Sequence, residues 1–336
     1  MADTAQSCAP NGNTPEIDAV YTWVDGGDEA FIESRRRCLQ DYRSAVAPEA
    51  AGMQRFRNNE ELRYSLRSLE AYAPWVRRIY IVTNGQVPRW LAAGNERVRI
   101  VTHDMLFSDT ANLPTFNCNA IELQLHKIPG LSQRFLYFND DCFFGRPVFP
   151  SDFITSAGGV CAYFDPTPFP SNRPRLQVHD RAYIHTQTVA GRILNGQKLS
   201  YLPAHITQLY DKKIIARLQK LLAGEYMETA SHRFRAENDL VLRILYFSYL
   251  VFSDEQKGKG HEAKHLQFGT KGYSFIMLAD RLWKMRLSFL AIRHRRPKFF
   301  CINDDLTGAP SDNLILKSFR FFLQSYFPRP GSFEKK

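Results

Sequence analysis

The chain has 336 residues, 44% of them hydrophobic and 13% aromatic, which supports one large domain and excludes a disordered chain. A formal net charge of +10 favours an anionic partner, whether nucleotide, phosphorylated glycan, nucleic acid or acidic lipid. The six cysteines form no Cys-x-x-Cys pair and match no zinc spacing, and several fall inside apolar runs.

Residues 1–15 are small and polar, lack the basic and apolar regions of a signal peptide, and read as a flexible tail. Ile17 to Val24 is β-branched and aromatic, hence a strand, and it ends in Asp25-Gly26-Gly27-Asp28. Arg35-Arg36-Arg37 then reads as the solvated face of a helix. At the next helix Asn58 as N-cap and Glu61 three residues on form a capping box, Leu62, Leu66 and Leu69 face the core, and Pro74 ends it. Two strands follow, 78–83, closed by Asn84-Gly85, and 98–102. A helix starting at Asn119 puts Glu122 where a capping-box glutamate or a catalytic carboxylate is equally at home, and Gly130 ends it. Phe135 to Phe138 then runs straight into Asn139-Asp140-Asp141. Ligands bind beyond the carboxyl ends of strands in open α/β sheets, so two carboxylates there suit Mg²⁺ or Mn²⁺ carrying phosphates; an Asx turn capping the strand is the plainer alternative. The strand–helix alternation from 17 to 149 predicts a doubly wound α/β unit.

Beyond Pro150 the texture changes. Pro166, Pro168, Pro170 and Pro174 predict a surface loop or lid over 164–175. From 180 to 252 the pattern is helical, broken near Tyr201 to His205 and Ser231 to Arg235. The nearly apolar run from Leu240 to Phe252 contains Arg243 and is too short to cross a bilayer. Residues 254–272 read as a mobile basic loop, and 274–296 as a basic amphipathic stretch that is a core or surface helix in preference to a membrane contact. Lys298 to Asp305 repeats the earlier pattern, an apolar strand ending in Asn303-Asp304-Asp305, and a helix over 313–326 follows. The expectation is a soluble, reduced, cytoplasmic protein.

Taken in order, these segments resemble the Stealth family of sugar-1-phosphate transferases, which includes bacterial capsule polymerases. Its four blocks correspond here to Ile17 through Gly26; to Phe56 through Asp141, with Ile81 to Gln86 and Leu113 to Phe116 between; to Pro203-Ala204-His205 through Phe234-Arg235; and to Cys301 through Asp305 followed by Tyr326-Phe327-Pro328. The resemblance implies an α/β, Rossmann-like or GT-A-like, mostly parallel sheet flanked by helices, with a helical C-terminal portion completing the site. It implies one catalytic domain over 16–336: an α/β nucleotide-sugar half (16–150), a mainly helical acceptor half (151–297), and a returning strand and helix (298–336). It places Glu122, Asp141, His205 and Arg235 in the active site. Asp25, Gly26, Asn84, Gly85, Asn303 and Asp304 are implied as substrate-binding, and Asp141, Asp140 and Asp305 as ligands of Mg²⁺ or Mn²⁺. The implied reaction moves sugar-1-phosphate from a UDP-sugar donor to a glycan acceptor hydroxyl and releases UMP, with His205, Asp141 or Glu122 as the base. Peripheral contact with the cytoplasmic membrane face and the oligomeric state are both left open. A glycosyltransferase releasing UDP is the competing reading. A nucleic-acid partner is not expected, since no basic–aromatic motif of the common modules is present.

Overall fold

The computed structural model describes residues 16–42, 46–310 and 313–335, and the expected tail lies outside them. In chain order, strand β1 (Ile17–Thr22) is followed by helices α1 (Glu29–Tyr42) and α2 (Glu61–Tyr72), then β2 (Ile79–Thr83) and β3 (Val98–Thr102). The short α3 (Cys118–Glu122) precedes β4 (Arg134–Asn139), and the chain turns at once into β5 (Cys142–Phe144). Next come β6 (Cys161–Pro168), α4 (Val178–Ile193), β7 (Tyr201–Pro203), β8 (Gln208–Asp211), α5 (Lys212–Leu221), α6 (Ala223–Ser231) and α7 (Leu242–Phe252). The last elements are β9 (Glu262–His265), β10 (Tyr273–Leu278), α8 (Leu282–Arg295), β11 (Phe299–Asp304) and α9 (Leu314–Tyr326).

The main sheet has the order β3-β2-β1-β4-β8, with the first four strands parallel and β8 antiparallel on β4. Its central strands are apolar and buried along nearly their whole length, as parallel strands covered on both faces must be. The chain steps outward from β1 to β3 and then returns to β4 on the other side of β1. Strand order therefore reverses between β1 and β4, which opens a crevice at their carboxyl ends. This is the expected α/β arrangement.

A second sheet, β10-β11-β5, has β10 parallel and β5 antiparallel to β11. α8 and α9 cover it: Phe300 of β11 meets Tyr326 of α9 edge-on (5.6 Å), and Phe289 of α8 stacks on Phe322 of α9. A third, β7-β6-β9, carries two of the four prolines expected in a surface loop or lid, Pro166 and Pro168. The lid reading is corrected there: β6 pairs with β9 only through Phe164 and then shifts register against β7, so Pro166 falls where the β9 ladder has ended. The mobile loop expected over 254–272 likewise contains β9, and the first part of the 274–296 stretch is β10 rather than helix.

Local starts also differ. Asn58 accepts the Glu60 N–H, Glu60 is left-handed (φ 65°), and Glu61 folds back onto the Asn59 N–H and side-chain amide. The Asn58–Glu61 box is thus replaced by an Asx turn two residues upstream of the true start. Arg35 is not solvated: it lies buried over the Phe56 ring, while Arg36 and Arg37 pair with Glu33 at the surface.

Candidate active site

Where β4 ends, the chain leaves the main sheet, and β5 joins β11. Cys142 and Cys301 are direct cross-strand partners, and the Ile302 N–H donates to the Asp141 carbonyl (3.1 Å). The two Asn-Asp-Asp endings therefore lie against one another. The Asn303 amide donates to Asp141 Oδ2 (3.1 Å), the Cys301 thiol faces the same oxygen (3.3 Å), and the Cys142 thiol faces Oδ1 (3.6 Å). His205, in the loop after β7, places Nε2 3.6 Å from Asp141 Oδ1 and 3.4 Å from the Asn139 amide. Burial opposes the charge on Asp141, but His205, Cys301 and Asn303 outweigh it and hold its carboxyl below the usual range. Asp141 is thus ionised at neutral pH.

Glu122 forms the other pole. Asn117 caps α3 by accepting the Asn119 N–H (3.0 Å), so Glu122 sits at the end of this five-residue helix and is no capping-box glutamate. It is buried and accepts from Tyr137 OH (3.0 Å), which in turn lies 2.9 Å from Thr22 Oγ1. Burial pushes its carboxyl up, against the pull of Tyr137, Arg235, Arg243 and His205.

Two arginines close the space between. Arg235 donates to Cys118 Sγ (2.8 Å), and Arg243, at the start of α7, donates to Tyr183 OH (3.0 Å) and lies 3.3 Å from His205 Nδ1. An arginine can only donate, so this contact makes Nδ1 the acceptor and leaves the proton of the neutral ring on Nε2, facing Asp141. Arg243 was met in the sequence only as a charge interrupting an apolar helix. A charge in such a helix must find a polar partner, and that is the one signal in the sequence that marks it. Neither Arg235 nor Arg243 forms an ion pair among the described residues. Arg55, largely buried beside Arg235, adds a third guanidinium.

The remaining expected residues are distributed as follows. The Asp25 N–H donates to Gln86 Oε1 (2.8 Å) and its carbonyl accepts from Gln86 Nε2 (3.0 Å), which ties the loops after β1 and β2 together. The Asp25 carboxylate itself accepts the Gly27 N–H (3.0 Å). Gly26 has a packing reason, since a Cβ there would stand 2.1 Å from the Phe56 carbonyl oxygen. Asn84 is exposed at the end of β2, and Gly85 (φ 107°) has open space around it. Asp304 binds Arg57 (2.6 Å), which also donates to the Leu306 and Ala309 carbonyls. Asp140 is pushed well up by burial, by Glu61 and by Asp141, and Asp305 is exposed.

Among the described residues the donor atoms able to hold a metal are those of Asp141, Cys142, His205 and Cys301, all within 4.8 Å of one another; Asp140 and Asp305 are not in this group. Burial drives the Cys301 thiol well up, while at Cys142 the contact from Cys301 lowers the thiol and burial with Asp141 more than offsets it. Asp141 is the one oxygen donor of the four, set beside an imidazole and two thiols.

Residues 15–43, 55–162, 204–252 and 291–336 match Stealth protein conserved regions 1, 2, 3 and 4 respectively. Glu122 and Asp141 fall in the second region, His205, Arg235 and Arg243 in the third, and Cys301 and Asn303 in the fourth. An exopolysaccharide phosphotransferase of Streptomyces coelicolor is 35% identical over 99% of this chain and 55% of its own length. The exopolysaccharide phosphotransferase CpsY of Mycobacterium tuberculosis is 33% identical over 95% of this chain and 58% of its own. The chain spans about half the length of the curated relatives it matches. Among solved structures, the galactosyltransferase LgtC in complex with donor and acceptor sugar analogs covers 92% of this chain and 96% of its own, at 13% identity and a TM-score of 0.42.

Proposed function

The chain belongs to the Stealth family, and from that premise we propose that it transfers sugar-1-phosphate from a UDP-sugar to a glycan hydroxyl, releasing UMP, in exopolysaccharide synthesis. The observation that carries this reading is the pair of inward guanidiniums, Arg235 and Arg243, without carboxylate partners beside an ionised Asp141. Half-buried cations of that kind are stabilised by an anion, and a planar guanidinium matches phosphate oxygens.

The acceptor oxygen attacks the phosphorus bonded to the sugar, the bond to the UMP oxygen breaks, and the sugar's carbon–oxygen bond is untouched, so anomeric configuration is kept. Such a displacement needs positioning and charge neutralisation more than covalent help. Arg235 and Arg243 take the phosphate charge. Glu122 takes the hydroxyl proton: its raised carboxyl lies nearer neutrality than that of Asp141, and His205 already carries its proton on Nε2. His205 donates toward Asp141 and holds it in place. A Mg²⁺ or Mn²⁺ held by Asp141, once bound, supplies further neutralisation of the diphosphate. The Asp25 and Asn84-Gly85 loops, at the carboxyl ends of β1 and β2, hold the nucleotide.

Incubation with a panel of UDP-sugars, a glycan acceptor and Mg²⁺, read by mass spectrometry, is expected to yield UMP and a phosphodiester. Release of UDP instead would overturn this reading in favour of a glycosyltransferase.

A further inference from the structure

Helix α8 presents two apolar faces where a surface helix needs only one. Met285, Phe289 and Ile292 are buried, and Phe289 stacks on Phe322 of α9 (4.9 Å). On the opposite side Trp283, Leu287 and Leu290, again at i, i+4 and i+7, are 62%, 57% and 59% exposed. At about 100° per residue these three fall within an arc of roughly 60°, with Arg286 and Arg293 along one edge and Lys284 along the other. All three cations are exposed, and Lys284 sits 5.5 Å over the Trp283 ring. From Arg281 to Arg296 there is no acidic residue. Phe321 on the neighbouring α9 is 70% exposed as well. Single exposed apolar residues are ordinary on a protein surface, whereas an aligned stripe with cations on both flanks is not.

We propose that α8 lies in the surface of an anionic lipid bilayer, with Trp283, Leu287 and Leu290 among the acyl chains and Lys284, Arg286 and Arg293 on headgroup phosphates. Tryptophan at the interface, leucines beneath and cations on either flank are the pattern of an in-plane helix, and the missing carboxylates match the charge of such a surface. No helix among the described residues is long and apolar enough to cross a membrane, so the contact is peripheral. The placement also has a chemical consequence. β10 pairs with β11 so that Met277 opposes Asn303, the residue that holds Asp141, and α8 begins at Leu282 just past that end. Resting on the transferase reading, the acceptor is then a glycan carried on a lipid in the same bilayer.

The test is sedimentation of the full chain with phosphatidylcholine vesicles with and without phosphatidylglycerol, together with tryptophan fluorescence. Wild type is expected to bind the anionic vesicles with a blue-shifted emission and to release them at high salt. The triple variant Trp283→Ser, Leu287→Ser, Leu290→Ser, with an unchanged circular dichroism spectrum, is expected to bind at least tenfold more weakly. Lys284→Glu with Arg286→Glu is expected to do the same without touching the apolar stripe. Wild type that ignores anionic vesicles, variants that bind like wild type, or a dimer that the triple variant dissolves would each overturn the proposal. Vesicle binding without UMP release would sink the transferase reading and leave this one standing.

Discussion

Asp304 was expected to touch substrate, and its surroundings make a different demand that can be measured. Its carboxylate is joined to Arg57 at 2.6 Å, with the two side chains only 13% and 7% exposed, and Arg57 also anchors the Leu306 and Ala309 carbonyls at 3.1 and 2.8 Å. Close by, burial lifts the Glu61 carboxyl to about 7, with the charge of Asp304 adding to the rise against the hydrogen bonds from Asn59. Arg57→Met therefore strands a charge in an acidic, buried place, and such a loss costs about 3–5 kcal/mol. Asp304→Asn removes the charge with the partner still present and costs about 1–2 kcal/mol. Because Arg57→Met does its damage through Asp304, the double variant is expected to be less destabilised than the sum of the singles by about 2 kcal/mol. Urea unfolding of the four proteins at pH 7.5 measures this, with UMP release followed in parallel. Effects that add to within about 0.5 kcal/mol would refute the pairing. So would an Asp304→Asn variant of wild-type stability that no longer releases UMP, since that result would restore Asp304 to the substrate.

Asp141→Asn should keep the fold, because the amide still fits between Asn303 and Cys301, yet lower turnover at least about 10²-fold; near-normal rates in metal-depleted buffer would contradict its role. For Glu122→Gln the rise of turnover with pH is expected to disappear, since the raised carboxyl must lose its proton to act as base; an unchanged pH profile would move that role elsewhere. Glu334 is buried and its carboxyl is held at about 2: burial opposes the charge, but Arg67, the Gly331 N–H and Arg63 prevail. A carboxyl depressed in the fold stabilises above its unfolded pKa and loses that contribution as pH falls toward the folded value. Glu334→Gln should therefore cost up to about 3 kcal/mol at pH 7 and much less near pH 3, and a deficit that does not change with pH would contradict the linkage. Gly26→Ala is expected to break the Gly26 N–H bond to Phe56 and lower stability by about 1–3 kcal/mol, read as a fall in melting temperature.

Strands β1 to β4 could be read from residue type because burial on both faces imposes long β-branched and aromatic runs. The short strands could not. β8, β9 and β10 each owe their conformation to a partner far away in sequence, and β6 keeps two prolines because its pairing changes sides at Phe164. The start of α2 was missed by two residues because the left-handed Glu60, and neither Asn58 nor Asn59, takes the N-cap position. At the site, periodicity gave no hint that Glu122, Asp141, His205, Arg235 and Arg243 converge. Convergence follows from the reversal of strand order between β1 and β4 and from β5 crossing to β11, and neither is a local property of sequence. The resemblance pointed to four of the five residues, and Arg243 had to be found in the fold.

The two Asn-Asp-Asp endings share their letters but divide their work: in β11 the pleat does it, and after β4 the turn at Asp140-Asp141 does. Successive residues of an extended chain face opposite sides. Asn139, Asp141 and Asn303 turn toward His205, while Asp140 and Asp304 turn toward Glu61 at the start of α2. Each middle aspartate thus belongs to an acidic network around the buried Glu61, and Asp140 is pushed well up by burial and then by Glu61 and Asp141. A carboxyl raised in the fold favours the native state at low pH, and that contribution fades as pH rises above the unfolded value of about 3.9. Asp140→Asn replaces an acid whose charged form the fold disfavours with a neutral isostere. It should therefore leave turnover within a few-fold of wild type and make the protein more stable than wild type at alkaline pH. If Asp140→Asn instead silenced the enzyme as thoroughly as Asp141→Asn, both acids would face the substrate and the division of sides would be wrong.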